Sequence, residues 1–408
     1  MRSQRVLCPT YWYPENSTDI HATYVHDINR HLVERGHRVR VVTPGHSGLA
    51  EREEFDGVEI VRFPMNLPED LTYGKVAQSK VSAWGKLSRL AVMAAYVRGQ
   101  RAHAIREGRD FAATVIHGHW AIPTGPAIVS AANRLKIPSV ITMHGGDVYV
   151  NESQGYNFPT RWYVRPVLKH TLRAANCLTA ISDDCRVHAL NAGAHDRDIR
   201  IIMNGADLKR FCSGPTSADD SERYGDRMIF ACRQLFPRKG IRFLLHAIAE
   251  LRPDFPDIQV VIAGDGFERN DLEKLAKDLE IDDCTEFLGW VPNAELPRFY
   301  RAAAASVIPS LEEGFGIPAA EAMGCEIPVV ASDAGGLPEV VEDGVTGYVV
   351  PKGDAEAIAA ALRKLLDDPD RAHEMGVAGR KRSLERFSWE LTAEKIEAVY
   401  ESLELQSE

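Results

Sequence analysis

The 408-residue sequence lacks long apolar runs, closely spaced cysteines and a general surplus of basic residues. After the first five residues, only three apolar residues, 6–8, precede Pro9, and no apolar stretch approaches the roughly 20 residues that span a bilayer. These absences argue against a secretory signal and a transmembrane helix, and they predict a cytoplasmic protein. Seven cysteines without a Cys-x-x-Cys pair argue against a zinc or redox site and predict reduced, mostly buried thiols.

The balance of charge is acidic, with 48 basic and 58 acidic residues and a formal charge of −10. A nucleic-acid-binding protein is expected to carry a basic domain or stripe, so we predict no nucleic-acid partner. Residues 75–109 are the exception, with eight Lys or Arg against one acid, Glu107. Two interpretations stay open for this segment. It is either a solvated helix whose apolar stripe, including Ala91 and Ala94, packs on the N-terminal domain, or a segment that docks on an anionic membrane surface.

The glycine-rich fingerprint of nicotinamide-binding enzymes is also missing, because no GxGxxG follows any candidate strand. Short β-rich runs instead alternate with helical stretches through both halves of the chain, which implies parallel sheets. A chain of this length suits two domains. The sequence therefore predicts an α/β protein of two Rossmann-like domains, 1–207 and 208–385, with a ligand in the cleft between them and a C-terminal helix over 386–408.

The segment 310–323 places two carboxylates, Glu313 and Glu321, across a turn that contains glycines. The turn lies between a short apolar run and a helix, where free backbone amides attract anions and hydroxyls. A carboxylate offers two acceptor oxygens to paired sugar hydroxyls, so we expect Glu313 to bind a sugar ring and Glu321 a ribose. The turn supplies four further candidate residues for binding the same sugar-containing ligand: Gly314, Phe315, Gly316 and Ile317.

Two basic residues, Arg233 and Lys239, follow the first strand of the predicted second domain. Arginine offers a planar fork of donors and lysine a point charge, and together they can offset the charge of a departing diphosphate. We therefore predict that both residues bind a diphosphate without the help of a metal ion. Val291 lies in a loop after a later strand, and we predict that it helps to bind the base of a nucleotide ligand.

Polar motifs also follow strands in the first half of the chain. His144 begins a His-Gly-Gly-Asp turn and is predicted to lie at the cleft, while His119 and Trp120 end another strand and are predicted to line a binding surface there. The loop 14–20 has no glycine that would let a phosphate approach the backbone. The Asn16 side chain is one replacement for such contacts; alternatively, this loop serves the acceptor.

Taken together, these motifs resemble those of the retaining glycosyltransferases of family 4, which have the GT-B architecture. The resemblance rests on the spacing of the two glutamates with Gly-Phe-Gly and Glu-Ala-Met between them, on Arg233 with Lys239-Gly240, and on His-Gly-x-Asp at 144–147. It implies transfer of a sugar from a nucleoside diphosphate sugar, with a UDP-sugar as the expected donor, to a sugar or lipid-linked acceptor. Cell-surface polysaccharide or glycolipid biosynthesis is the implied pathway, and no cofactor is implied. By the same resemblance, the catalytic residues are Glu313, Arg233, Lys239 and His144, and His144 contacts the donor sugar or its phosphate. His119 and Trp120 then lie on the acceptor side, and the last helix crosses back onto the N-terminal domain.

Two alternatives remain. An epimerase or phosphorylase of GT-B architecture would release free sugar or depend on phosphate, and the glutamate pair disfavours it. A non-catalytic scaffold that binds sugar nucleotides would be expected to lose Arg233, Lys239 or Glu313, and all three are present. The spacer before Lys239 is one residue longer than in many members of the family, so Arg238 could replace part of its function.

Overall fold

The computed structural model describes residues 3–15, 22–46, 48–65, 83–149 and 161–405, with the backbone alone described over 83–89. Asn16 and the part of 75–109 before Ala83 lie outside the described residues. Contacts divide the chain into two compact units, one made of Met1–Met203 with Trp389–Glu408 and the other of Asn204–Ser388. The boundaries drawn from the sequence, after 207 and 385, lie four and three residues from these divisions.

The first unit is built on an eight-stranded sheet with helices on its faces. Its strands are β1 (Arg5–Pro9), β2 (Arg38–Gly45), β3 (Arg52–Phe55), β4 (Val58–Pro64), β5 (Val115–His119), β6 (Ser139–Met143), β7 (Cys177–Ala180) and β8 (Ile199–Ile201). Its helices are α1 (Thr23–Glu34), α2 (Ala83–Asp110), α3 (Gly125–Leu135), α4 (Arg165–Ala174), α5 (Asp183–Asn191) and the C-terminal α14 (Trp389–Leu405). The strand order is β3, β4, β2, β1, β5, β6, β7, β8, and every pair except β3 with β4 is parallel.

The second unit contains a six-stranded sheet that is parallel throughout. Its strands are β9 (Met228–Cys232), β10 (Gln259–Ala263), β11 (Thr285–Gly289), β12 (Ala305–Ile308), β13 (Val329–Ser332) and β14 (Gly347–Val350), in the order β11, β10, β9, β12, β13, β14. Its helices are α6 (Ala218–Tyr224), α7 (Ile241–Leu251), α8 (Arg269–Asp278), α9 (Leu296–Ala302), α10 (Ile317–Gly324), α11 (Leu337–Val340), α12 (Ala355–Asp367) and α13 (Pro369–Arg386). The predicted class, two α/β domains with parallel sheets, is confirmed.

Burial explains why the central strands read as unbroken apolar runs. In β1, Val6, Leu7 and Cys8 are all 0% exposed, as expected where helices cover both faces of a parallel sheet. The loops that follow parallel strands leave the sheet at one edge, its carboxyl edge. Polar residues placed directly after neighbouring strands therefore meet there.

Strand β3 was not predicted, because its sequence Arg-Glu-Glu-Phe is mostly charged and its residues are largely exposed. It pairs antiparallel with β4 through a two-residue turn, Asp56-Gly57, in which both residues have positive φ, 50° and 76°. Asp-Gly is a strong signal for such a hairpin. The turn residues could therefore have revealed the strand that the charges concealed.

Helix α2 differs from the predicted packing stripe. Ala91 and Ala94 are exposed, and the buried positions of the helix include Tyr96, Gln100 and Ala104. Gln100 is held in the interior by its amide, which donates to the Val42 carbonyl at 2.7 Å. The apolar stripe at 91 and 94 therefore does not pack on the domain. None of the helices in the described part of the chain has the length and apolar character that crossing a membrane requires.

Candidate functional site

In the second unit, two basic side chains converge on one carboxylate at the carboxyl edge of the sheet. Arg233 directly follows β9, while Ser310 and Glu313 follow β12, the strand beside it. The Arg233 guanidinium donates from Nη2 to Ser310 Oγ at 2.5 Å and also to Glu313 Oε2. Lys239 Nζ donates to the same Glu313 oxygen at 2.8 Å. The structure thus brings together three residues predicted from separate motifs.

These three side chains are nearly enclosed, with exposures of 3% for Arg233, 11% for Lys239 and 13% for Glu313. Burial alone would raise the pKa of Glu313, but the positive charges of Arg233 and Lys239 outweigh it and hold that pKa well below its usual range. Burial, aided by Arg233 and Arg238, lowers the pKa of Lys239 to about 7 against the opposing pull of Glu313. The group has more cations than anions in a poorly solvated place, which favours an anionic ligand.

Glycines allow the loops around this group to pack backbone to backbone. Gly240 has φ 69°, and a Cβ on it would overlap the Pro309 carbonyl oxygen. A Cβ on Gly264 would likewise overlap the carbonyl oxygen of Arg233, whose amide donates to the Ala263 carbonyl at 2.8 Å. The Arg233 backbone is therefore held by the neighbouring loop, which fixes the origin of its side chain.

The turn before α10 is held in a similar way. The Gly336 amide donates to the Glu313 carbonyl at 3.1 Å, and Gly316, with φ 102°, caps the helix. The Phe315 side chain is 2% exposed and packs edge to face against Phe387, so only the Phe315 backbone is available to a ligand. Among the described residues, the amides of Phe315, Gly316 and Ile317 donate to no acceptor. These amides and the N-terminal dipole of α10 suit a phosphate.

Two other predicted donor residues lie on elements at this edge. Glu321 is half-buried on α10 and accepts a hydrogen bond at 3.1 Å from the hydroxyl of Tyr300, a fully buried residue that the sequence analysis missed. Gly289, two residues before Val291, accepts a hydrogen bond at 2.7 Å from the Gly264 amide. The loop that carries Val291 therefore begins beside the glycine that holds Arg233.

In the first unit, the predicted residues His119 and His144 lie side by side, His119 at the end of β5 and His144 directly after β6. His119 Nδ1 lies 3.0 Å from His144 Nε2, and the remaining nitrogens, His119 Nε2 and His144 Nδ1, are buried with no partner among the described residues. Burial lowers the pKa of His144 to about 3 and that of His119 well below its ordinary value. Both rings are therefore neutral at pH 7, and one of them donates its N–H to the other.

Asp147 ties the two histidine loops together. Its Oδ1 accepts from the His144 amide at 2.9 Å and its Oδ2 from the Ala121 amide at 2.6 Å. Burial raises the pKa of Asp147 to about 6, so the carboxyl is ionised at pH 7. The rings of Trp120 and Tyr24 lie 5.3 Å and 4.7 Å from the His144 ring. His144 thus has aromatic neighbours that can pack against a sugar ring.

His119 itself is 0% exposed, which places it behind the surface predicted to meet the acceptor. Ser310 and Tyr24 were not assigned a role from the sequence. Ser310 stands at the carboxyl end of a strand, a signal that could have identified it, whereas Tyr24 lies in a helix and carries no local signal. The described residues contain no group of three or more His, Cys, Asp or Glu side chains arranged to hold a metal ion.

Known proteins resemble the chain in both halves. Residues 216–382 match the family described as Glycosyl transferases group 1, and residues 21–205 match the Glycosyl transferase 4-like domain. A D-inositol 3-phosphate glycosyltransferase of Kribbella flavida is 31% identical over 394 residues, which cover 92% of this chain and 89% of that protein.

A second relative is the GDP-mannose-dependent alpha-(1-6)-phosphatidylinositol monomannoside mannosyltransferase of Mycolicibacterium smegmatis. It is 37% identical over 56% of this chain and 64% of its own length. Among solved structures, a sucrose-phosphate synthase from Thermosynechococcus elongatus superposes with a TM-score of 0.78 at 23% identity, covering 99% of this chain and 100% of that chain. This last likeness concerns the fold.

Proposed function

Because the chain belongs to the family 4 glycosyltransferases of GT-B architecture, we propose that it transfers a sugar from a nucleoside diphosphate sugar to a sugar or lipid-linked acceptor. In this proposal the anomeric configuration is retained and no metal ion takes part. The observation that carries the proposal is the convergence of Arg233 and Lys239 on Glu313. Two buried cations at a sheet edge, next to free helix amides, suit a diphosphate leaving group.

Each residue has a role in this proposal. Arg233 and Lys239 stabilise the leaving diphosphate, and Glu313 orients the transferred sugar through its second oxygen. Glu321 accepts hydrogen bonds from the ribose, and His144 contacts the donor sugar or its phosphate. The dependence of one relative on GDP-mannose, as its name states, supports a sugar nucleotide as donor. We keep UDP as the proposed nucleotide of the donor for this chain, and the binding experiment below compares it with three other nucleoside diphosphates.

For the acceptor, we propose a site around Trp120 and His144 in the first unit, with Asn16 as a further contact. The named relatives act on an inositol phosphate and on a phosphatidylinositol mannoside, which supports a glycolipid or polysaccharide pathway. We also propose a peripheral position on the cytoplasmic face of a membrane through 75–109. The exposed Leu90, Ala91 and Arg98 on α2 support that position.

Ligand-induced stabilisation tests the donor site. Thermal unfolding is measured with saturating UDP, GDP, ADP or dTDP, and a ligand at about 100 times its dissociation constant should add about 2.7 kcal/mol to stability. Arg233→Ala should abolish the gain. Arg227→Ala is the matched control, because Arg227 precedes β9 at the opposite edge and pairs with Asp257. No stabilisation of the wild type by any nucleotide would refute the donor site.

Transfer is then assayed with sugar nucleotides of the base so identified. Glu313→Gln should abolish transfer while nucleotide diphosphate still binds, since the sugar and not the nucleotide depends on that carboxylate. Glu321→Gln should instead weaken binding of both the nucleotide and the sugar nucleotide. Unchanged transfer in Glu313→Gln would show that this residue does not orient the sugar.

A further inference from the structure

Helix α4 and the turn before it form a basic surface that the sequence analysis did not single out. Residues 161–176 carry four Lys or Arg and no Asp or Glu, in a chain whose formal charge is −10. The buried positions of α4 are Leu168, Thr171 and Leu172. The opposite side of the helix exposes Arg165, Pro166, Val167, Lys169, His170 and Arg173.

Large apolar side chains are exposed among these cations. Trp162 is 81% exposed and Val167 is 45% exposed. Exposed apolar side chains that lie together and are rimmed by polar residues are typical of an interaction site. Tryptophan is enriched where a protein meets the headgroups of a bilayer, because one part of its ring system is apolar and its N–H is polar.

The surface begins at the same edge of the sheet as the histidine pair of the first unit. Helix α4 connects the parallel strands β6 and β7, so it begins at their carboxyl edge, where β6 ends directly before His144. Helix α3 packs against both α4 and α2, which puts the three helices in one layer. Helix α2 likewise leads into β5 from the carboxyl edge, and its exposed Leu90 lies in its first turns.

We propose that α4 with Trp162, hereafter the α4 surface, docks on an anionic lipid bilayer. Trp162 and Val167 enter the headgroup region, while Arg165, Lys169 and Arg173 face the lipid phosphates. Charge complementarity favours this occupant, because the rest of the acidic chain is repelled by such a membrane and only a local basic surface can approach it. The exposed apolar side chains favour a bilayer over a nucleic acid. The proposal extends membrane contact beyond residues 75–109.

Vesicle flotation at low salt tests the α4 surface. The full chain is mixed with vesicles of phosphatidylcholine alone or with added phosphatidylglycerol, and it should float with the anionic vesicles and detach as salt increases. Each cation near an anionic surface contributes about fivefold to binding. The double change Arg165→Glu with Lys169→Glu should therefore weaken binding by at least about 25-fold, and Trp162→Ala should weaken it without changing the salt dependence.

The matched control is Lys274→Glu with Lys277→Glu, two exposed residues of α8 in the second unit, which changes the net charge equally. This control should retain most of the binding. Equal flotation of all variants, or loss of binding only when Arg98 and Arg101 of α2 are reversed, would overturn the proposal. Retention on a soluble polyanion without vesicle binding would also overturn it. The assay measures no sugar transfer, so its failure would leave the proposed reaction untouched.

Discussion

Nucleotide binding is expected to bring a proton onto Lys239. Burial with Arg233 and Arg238 lowers the pKa of Lys239 to about 7 in the free protein, so about half of the side chains are neutral at pH 7. A diphosphate bound at this site adds negative charge and raises that pKa towards its ordinary value. Since the bound form prefers protonated Lys239, affinity is greatest below pH 7 and falls as pH rises above it.

The magnitude follows from that pKa. With a free pKa near 7 and a bound pKa close to the ordinary value of lysine, the number of protons taken up per nucleotide rises from about 0.5 at pH 7 to about 0.9 at pH 8. Between pH 7.5 and 8.5 the terminal phosphate is already ionised. In that interval the dissociation constant should increase about eightfold.

Titration calorimetry at pH 8 in two buffers of different ionisation enthalpy measures the proton uptake directly. Lys239→Met should bind nucleotide weakly with no uptake, whereas Lys277→Met, on the exposed side of α8, should behave as the wild type. Binding without proton uptake, with a dissociation constant that stays flat from pH 7.5 to 8.5, would refute the reasoning. It would mean that Glu313 outweighs burial and keeps Lys239 charged in the free protein.

Three further substitutions test the supporting structure. Gly240→Ala should lower the free energy of unfolding, measured with denaturant, by at least about 3 kcal/mol, because the new Cβ overlaps a carbonyl oxygen and φ is left-handed. Gly344 also has a left-handed φ, 71°, but open space around it, so Gly344→Ala should lower the same free energy by about 1–2 kcal/mol. Tyr400→Phe should cost about 1–3 kcal/mol by the same measurement, since its hydroxyl bonds a buried histidine nitrogen of β5 at 2.6 Å; an unchanged midpoint would contradict this. His119→Leu should lower kcat at least about tenfold and leave KM for the donor little changed, because His144 loses the hydrogen bond that orients its ring. His119→Asn can still form a hydrogen bond and should restore part of kcat. Equal kcat in both variants would deny His119 that role.

The sequence could predict the three residues of the cationic site because each follows a strand. Arg233 and Lys239 come after β9, and Glu313 comes after β12, so a parallel sheet puts them at one edge. The adjacency of β9 and β12 could not be predicted, since strand order depends on tertiary packing between segments about 75 residues apart. The Tyr300 contact with Glu321 depends on the same packing.

In the first unit, too, some site residues could be predicted from the sequence while their packing could not. The His-Gly-Gly-Asp turn identified His144, but nothing local indicated that His119 would be buried behind it rather than facing a ligand. The buried face of helix α2 could not be predicted from its alanines, because alanine fits a buried and an exposed face equally well. Its buried face is set instead by Tyr96 and Gln100, whose hydroxyl and amide nitrogen find partners only in the folded domain.

The discontinuous first unit constrains how the chain can fold during synthesis. Tyr400 bonds His117, 283 residues earlier, and Glu404 accepts from Gln4, 400 residues earlier. The second unit is one continuous stretch and can close as soon as Ser388 has left the ribosome. The first unit, although translated earlier, must wait for α14 to cover its sheet. Until then the β5 surface that α14 will cover stays exposed to water and to chaperones. The unit that is mostly translated first therefore completes its folding last.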